Sequence, residues 1–394
     1  MTASYLRIPA TYMRGGTSKG VFFRLEDLPK AAQLPGPYRD RLLQRIMGSP
    51  DPYGKQIDGM GGATSSTSKV VILSRSQQPG HQIDYLFGQV SIDQPLIDWS
   101  GNCGNLTAAA AAFAINSGLI TDQEMPTDGE ADIVIWQQNI GKTIIARLPV
   151  ADGQVIESGD FTIDGVAFPA SPVSLDFMEP GSADDNLFPS GNPIDRLPVA
   201  TEINPYGYID ATLINSGIAA VLIDARQVGL SAIEQEADIN TKPELLQTLE
   251  TVRAQAALQM GLIDTLEQAQ QRQHTPKIIW LNKPQDYTAS SGKSILASDI
   301  QLCARALSMG KLHHAMMASA VIALGSAAAI PGTLIEKLLG TTYSHLNIGH
   351  TSGTVMVGAK ASQTSQGHWQ ITQASLQRSA RVIMEGWVRV PENV

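Results

Sequence analysis

The sequence is short of charge and almost devoid of cysteine. Charged residues make up 16% of its 394 residues while apolar ones reach 43%. Ordinary globular chains carry roughly 25% charge, so the balance here is small and neutral, and the apolar content excludes a disordered chain. Two cysteines, Cys103 and Cys303, exclude a disulfide framework and a thiol-built zinc cluster. They point to a reducing, cytoplasmic setting in which each thiol has its own role. Basic residues are outnumbered 28 to 37, for a formal charge of −9, which argues against nucleic acid as a partner because phosphate binding needs a basic face. Long hydrophobic runs are lacking too. The longest, residues 315–330, is interrupted by Ser319, Gly325 and Ser326 and is short for a membrane span. The opening MTASYLRIPATYM puts no apolar core behind a basic region, so no signal peptide is expected.

What is present is length enough for two domains, each with its own core. Residues 179–207 hold five prolines and no sustained periodicity, which rules out an ordinary helix or central strand. They divide the chain into expected domains 1–188 and 197–394, with a cleft between them, although the C-terminal strand is free to return to the first half. Three blocks recur in order across that division. Ala10-Thr11 with Gly16 matches Ala211-Thr212 with Gly217, TSKVVIL from Thr67 matches TPKIIWL from Thr275, and GNCGNLTAAAAAFAINS from Gly101 matches GKLHHAMMASAVIALGS from Gly310. Collinear self-similarity of this kind predicts a duplicated unit. Each copy reads as short β-rich runs followed by one alanine-rich helix, apolar nearly all round, that must be covered on every side. The predicted fold class is therefore α+β: two similar domains, each a barrel-like, mostly antiparallel sheet wrapped around a central buried helix.

Three motifs could carry chemistry. SGNCGN (Ser100 onward) puts the Cys103 thiol at a helix N-terminus, where unpaired N–H groups and the helix dipole stabilise anions; the alternative is a buried cysteine in a capping turn. GMGGATSSTSKVVIL sets Lys69 at the mouth of a strand, where desolvation would suit an amine to act as a base; a solvated strand-end lysine is the alternative. MRGGTSKG supplies Arg14, Lys19 and permissive glycines suited to holding carboxylates. Its GxSxG spelling, Gly16 to Gly20, is followed by a strand-like run instead of a helix, which argues against a hydrolase elbow. Lys277 occupies the repeat position of Lys69 but lacks the hydroxyl run. His313, His314, His345 and His350 show no metal-ligand spacing, so no metal is expected. A two-thiol racemase fails on the repeat, since the counterpart of Cys103 is Leu312 and Cys303 lies in a strand-like run.

MRGGTSKGVFF, GMGGATSSTSKVVIL and SGNCGNLTAA closely resemble the 2-methylaconitate cis-trans isomerase (PrpF) family, part of the diaminopimelate epimerase superfamily. MGKLHHAMMASA and GHTSGTVMVGA in the second half also look like family motifs. The resemblance implies proton transfer without a cofactor, a small tricarboxylate substrate, and catalytic roles for Lys69 and Cys103. The substrate would be held by residues of these motifs: Arg14, Gly16, Thr17, Ser18, Lys19, Ser66, Asn102, Gly104, Asn105, Gly310, Lys311, Thr351 and Ser352, with Gly310 and Lys311 expected at the second helix N-terminus. The expected reaction is isomerisation of 2-methyl-trans-aconitate to the cis isomer in propionate breakdown. The alternatives are a 4-oxalomesaconate tautomerase and a non-catalytic carboxylate-binding protein. A homodimer is compatible with these signals, which do not fix the oligomeric state.

Overall fold

The computed structural model describes residues 5–181 and 186–392, so residues 182–185 of the proline-rich connector lie outside the described residues. Contacts divide the chain into two units, Met1–Leu175 with Gln377–Val394 and Asp176–Leu376. The division falls at 175–176 instead of between 188 and 197, and the chain's end belongs with the first unit. The cause is strand pairing: Tyr5–Gly15 runs antiparallel to Ala380–Pro391 along its whole length.

The first unit contains β1 (Tyr5–Gly15), β2 (Ser18–Arg24), α1 (Pro37–Met47), β3 (Lys69–Arg75), β4 (Ile83–Val90), β5 (Ile97–Asp98), α2 (Gly104–Asn116), β6 (Gly129–Gln137), β7 (Lys142–Ala151) and β8 (Gln154–Val155). β9 (Val173–Met178) carries the chain across the division. The pairs β1/β2, β3/β4, β4/β5 and β6/β7 are antiparallel, while β2/β3 and β4/β6 are parallel.

The second unit follows with β10 (Asp195–Pro198), β11 (Tyr208–Ser216), β12 (Ile218–Asp224), α3 (Glu236–Asn240), α4 (Pro243–Gln259), β13 (Lys277–Asn282), β14 (Tyr287–Thr288), β15 (Ser294–Ile295), β16 (Leu302–Ser308), β17 (Lys311–Leu312), α5 (Ala318–Ala328), α6 (Leu334–Leu339), β18 (His345–His350), β19 (Gly353–Gln363) and β20 (Trp369–Arg378); β21 (Ala380–Pro391) completes the first unit. The pairing pattern repeats. β11/β12 are antiparallel, β12/β13 parallel, β13/β16 and β16/β17 antiparallel, β16/β18 parallel and β18/β19 antiparallel. The duplicated α+β unit is thus present as topology.

In each unit one helix packs inside the sheet and another outside it. Along β2, Val21 and Phe23 join a cluster with Leu42, Leu43 and Ile46 of α1. Phe22 faces the other way, its ring centroid 5.6 Å from that of Phe113 in α2. The alternation of a strand therefore buries three consecutive apolar residues on two faces. In α2 every residue from Gly104 to Ile115 is buried, and the helix contacts β1, β2, β3, β4, β7, β8 and β21. Its alanines give high helix propensity with a thin cross-section, so strands can approach closely. A Cβ built on Gly15 would lie 2.5 Å from the Asn105 carbonyl oxygen and 3.0 Å from the Ala109 Cβ.

The repeat is out of step at the second helix. Gly310 (φ +73°) makes the tight turn between β16 and β17, and Lys311 is an exposed strand residue paired with Ser308. α5 begins only at Ala318, so the helix starts are separated by 214 residues, not 209. Gly310 and Lys311 are therefore not at a helix N-terminus. The topological counterpart of Lys311 is Asp98 of β5, which pairs with Gln89 as Lys311 pairs with Ser308. The shared small-residue pattern in the two helices allowed an alignment that slipped past the longer approach to α5.

Gly15→Ala should destabilise the protein by about 1–3 kcal/mol, the usual cost of overpacking a filled core, because its methyl group meets the α2 backbone. Gly386→Ala, on the partner strand β21 with nothing within 4 Å of the added atom, should leave the thermal midpoint within a degree or two. Melting curves of the two variants check the expectation.

Candidate active site

The N-terminus of α2 is built to leave donors available. Cys103 is its N-cap residue, with φ −117° and ψ 89°; no side chain caps the helix, and its first turn has no acidic residue. The Cys103 carbonyl is held by the Tyr85 hydroxyl at 3.0 Å and the Thr107 hydroxyl at 3.2 Å. The thiol, on a residue only 7% exposed, is thus fixed through its own backbone at the positive end of an uncompensated helix dipole. Burial and the neighbouring Cys103 push the Tyr85 phenol well above its ordinary range, so it stays protonated and keeps donating. Next to Cys103, Asn102 is 1% exposed, and neither its Oδ1 nor its Nδ2 has a hydrogen-bond partner. A buried amide in that state is costly unless a ligand or water completes it.

Lys69 is the first residue of β3 and is buried. Its Nζ donates to Gln89 Oε1 at 2.5 Å, across the antiparallel pair that sets Lys69 opposite Gln89, and lies 5.0 Å from the centre of the Phe87 ring. The Gln89 amide nitrogen donates to the Ser65 and Ser68 carbonyls at 3.1 and 3.0 Å, which leaves Oε1 as the end that faces Lys69. Burial pushes the Lys69 amine below its ordinary pKa, and the nearby Cys103 opposes part of that shift. In its neutral form the amine would donate one N–H to Gln89 and keep its lone pair available. Gly20 on β2 provides the room, since a Cβ there would lie 2.8 Å from the Lys69 carbonyl oxygen and 3.2 Å from its Cβ.

The β1–β2 hairpin closes beside these groups. Gly16 (φ +50°) and Thr17 form the turn, so GxSxG is a hairpin here and not a strand-to-helix elbow. Thr17 Oγ1 accepts from Asn105 Nδ2 at 3.1 Å. Thr17 and Ser18 are buried, and Lys19 has its backbone N–H on the Ser66 carbonyl at 2.9 Å and its ammonium 5.3 Å from the Tyr12 ring centre. Arg14 uses Nη1 to hold the Gly16 carbonyl and both oxygens of Ser379, at 3.0–3.1 Å. Burial and the charge of Arg381 lower its pKa. Lys69, Cys103, Gly104, Asn102, Asn105, Thr17, Ser18, Lys19, Ser66 and Arg14 all belong to the first unit.

The other expected residues belong to the second unit. Thr351 and Ser352 form the β18–β19 turn, and their hydroxyls donate to the His313 carbonyl, at 3.0 Å, and to the His314 carbonyl. They brace the loop before α5, as Asn139 between β6 and β7 braces Trp99 before α2 at 2.8 Å. His313 and His314 are stacked, ring centroids 4.8 Å apart, and among the described residues no group of three or more His, Cys, Asp or Glu is placed to hold a metal. Cys303 lies in β16, where burial raises its pKa.

Sequence reasoning missed Gln89 and Arg378. Arg378 is 3% exposed and donates from Nε to Asn105 Oδ1 at 2.9 Å. Burial alone pushes its pKa down to about 10. Neither residue lies in a motif, and only the pairing of Lys69 with Gln89 and the return of the C-terminal segment bring them to the site.

The fold is that of a group of two-domain isomerases. A hydroxyproline epimerase from Agrobacterium vitis shares it at 12% identity (TM-score 0.54, covering 98% of this chain and 93% of that one). The structure of a methylitaconate-delta-isomerase matches at 34% identity with a TM-score of 0.75, covering 99% of this chain and 97% of that one. Within this class the chain belongs to the PrpF protein family, whose model matches residues 5–391. It is 56% identical to the 2-methyl-aconitate isomerase of Shewanella oneidensis and 54% identical to that of Cupriavidus necator, in both cases covering 98% of each chain. It is 36% identical to the 3-methylitaconate isomerase of Eubacterium barkeri, over 98% of this chain and 97% of that one. The protein is an isomerase.

The lowered pKa of Lys69 carries a sign for stability. Between its folded-state pKa and the 10.5 of an unperturbed lysine, the unfolded chain holds the proton and the folded chain does not, so stability rises with pH. The thermal midpoint of the wild type, measured relative to Lys69→Met, should therefore increase on going from neutral pH toward pH 10. A flat or falling difference would mean that the amine is not desolvated.

Proposed function

We infer that the protein isomerises 2-methylaconitate between its trans and cis forms by moving a proton at the end of α2 in the first unit. The observation that carries the reading is a buried amine with a lowered pKa, electrostatically coupled to a thiol at an uncapped helix N-terminus. The two 2-methyl-aconitate isomerases named above, 56% and 54% identical over 98% of this chain, support the reading. Lys69 removes a proton from the CH₂ group beside a carboxylate. The electron pair spreads through the former C=C bond to the remote carboxylate, leaving a bond of single-bond character that can rotate. The proton returns to the same carbon from Lys69, directly or by way of the Cys103 thiol, which donates its own proton and takes up the one held by Lys69, and the double bond re-forms in the other geometry. The developing enolate charge is met by the N–H groups of the first turn of α2, fixed dipoles of the kind that dominates such catalysis. Arg14, Lys19, Thr17, Ser18, Ser66, Asn102 and Asn105 hold carboxylates, directly or through the loops they brace. Both cysteines are free, which suits a reducing cytoplasm, and the reaction fits propionate breakdown through 2-methylcitrate. No helix among the described residues is long and apolar enough to cross a membrane.

Lys69→Met should lower kcat on 2-methylaconitate by at least ~10²-fold, the usual cost of removing a general base. Cys103→Ser, which keeps the shape but weakens the acid, should also fall substantially. Wild-type turnover of 2-methylaconitate should exceed that of 4-oxalomesaconate. Normal turnover in Lys69→Met would remove the base, and preference for the oxo acid would shift the reading to a tautomerase.

A further inference from the structure

Arg378 has a feature that its burial alone does not explain. It is 3% exposed, yet none of the ion pairs found among the described residues includes it. Its pKa near 10 keeps it charged at neutral pH. Nη1 donates to the neighbouring Gln377 carbonyl at 2.9 Å and Nε to Asn105 Oδ1 at 2.9 Å. A guanidinium has only donors, so the Asn105 amide can meet it only with its oxygen. That choice fixes the other end: Nδ2 must donate, and it does, to Thr17 Oγ1 at 3.1 Å. The Thr17 oxygen is then an acceptor toward Asn105, and its own O–H must point away from the chain. Gly16 allows the contact, because a Cβ there would run into Asn105 Oδ1 and lie 2.9 Å from Arg378 Cδ.

We propose that Arg378 is a positioning residue that sets the polarity of the Arg378–Asn105–Thr17 chain and so presents the Thr17 hydroxyl as a hydrogen-bond donor to a substrate carboxylate. This rests on the tricarboxylate reading above. A neutral or acceptor group at position 378 would let the Asn105 amide turn over, and the Thr17 proton would then be drawn back toward Asn105. Asn105→Asp has the same consequence with the fold preserved. The carboxylate still accepts from Arg378 but cannot donate, so Thr17 must donate to it.

The test is a set of dissociation constants for trans-aconitate, measured calorimetrically on the full chain. In the wild-type background, Thr17→Val should weaken binding about ten-fold or more, the size of one hydrogen bond to a charged group, while Thr17→Ser should bind nearly as wild type. In the Asn105→Asp and Arg378→Met backgrounds, adding Thr17→Val should change binding less than two-fold, because the hydroxyl has already turned away. Arg378→Lys, still only a donor, should restore the ten-fold penalty. If Arg378→Met fails to fold, the Asn105→Asp pair decides. An equal Thr17→Val penalty in every background, or no penalty in the wild type, would overturn the inference while leaving the substrate reading intact. Failure of the wild type to bind trans-aconitate at all would overturn both.

Discussion

The structure depends on one constraint: α2 has no polar face. A helix whose first twelve residues are all buried leaves only its last, Asn116, to solvent, so the strands of its unit must surround it. They can do so at close range because its core is alanine and because Gly15 and Gly20 remove side chains where β1 and β2 pass it. Its N-terminus is where backbone polarity has to be met. There the sequence offers no capping side chain and no acid. It offers Asn102, Cys103 and Asn105, with a desolvated amine on β3 and a buried guanidinium at the end of β20. The same burial that makes the helix a structural centre therefore strengthens the electrostatics at its end.

The duplication shows which parts of that arrangement are scaffold. The second unit repeats the pairings and keeps a lysine at the start of the corresponding strand, where Lys277 Nζ lies 3.2 Å from His274 Nδ1 and 3.5 Å from Ser308 Oγ. Its helix is equally apolar and equally buried. What differs is the approach to the helix: the N-cap is Met317 in place of a thiol, and a stacked histidine pair precedes it. The topology carries the amine position in both copies, whereas the thiol is found at a helix end in the first copy alone.

Much of this was legible in the sequence because it is local. Strand-like VVIL and VFF runs, the all-apolar helix and the glycine-flanked Cys103 are read from neighbours in the chain. The slip at the second helix had a physical origin, since an alanine-rich helix looks similar at several alignments and the extra residues lie between β13 and β16, where β14 and β15 are inserted. Gln89 and Arg378 were not legible because their meaning comes from pairing across 20 and 273 residues. Nothing in QRSARV marks a guanidinium that will be buried against Asn105. Thr351 and Ser352 were visible as a motif, but their hydroxyls turn out to support loop carbonyls of their own unit.

The central claim is that the anion rests at the N-terminus of α2, beside Cys103. Alkylation of the two cysteines, followed residue by residue by mass spectrometry with and without trans-aconitate, tests it most directly. The account predicts that trans-aconitate slows modification of Cys103 at least several-fold while leaving the rate at Cys303, buried in β16, unchanged. Equal protection of both thiols, or none at Cys103 under saturating ligand, would contradict it.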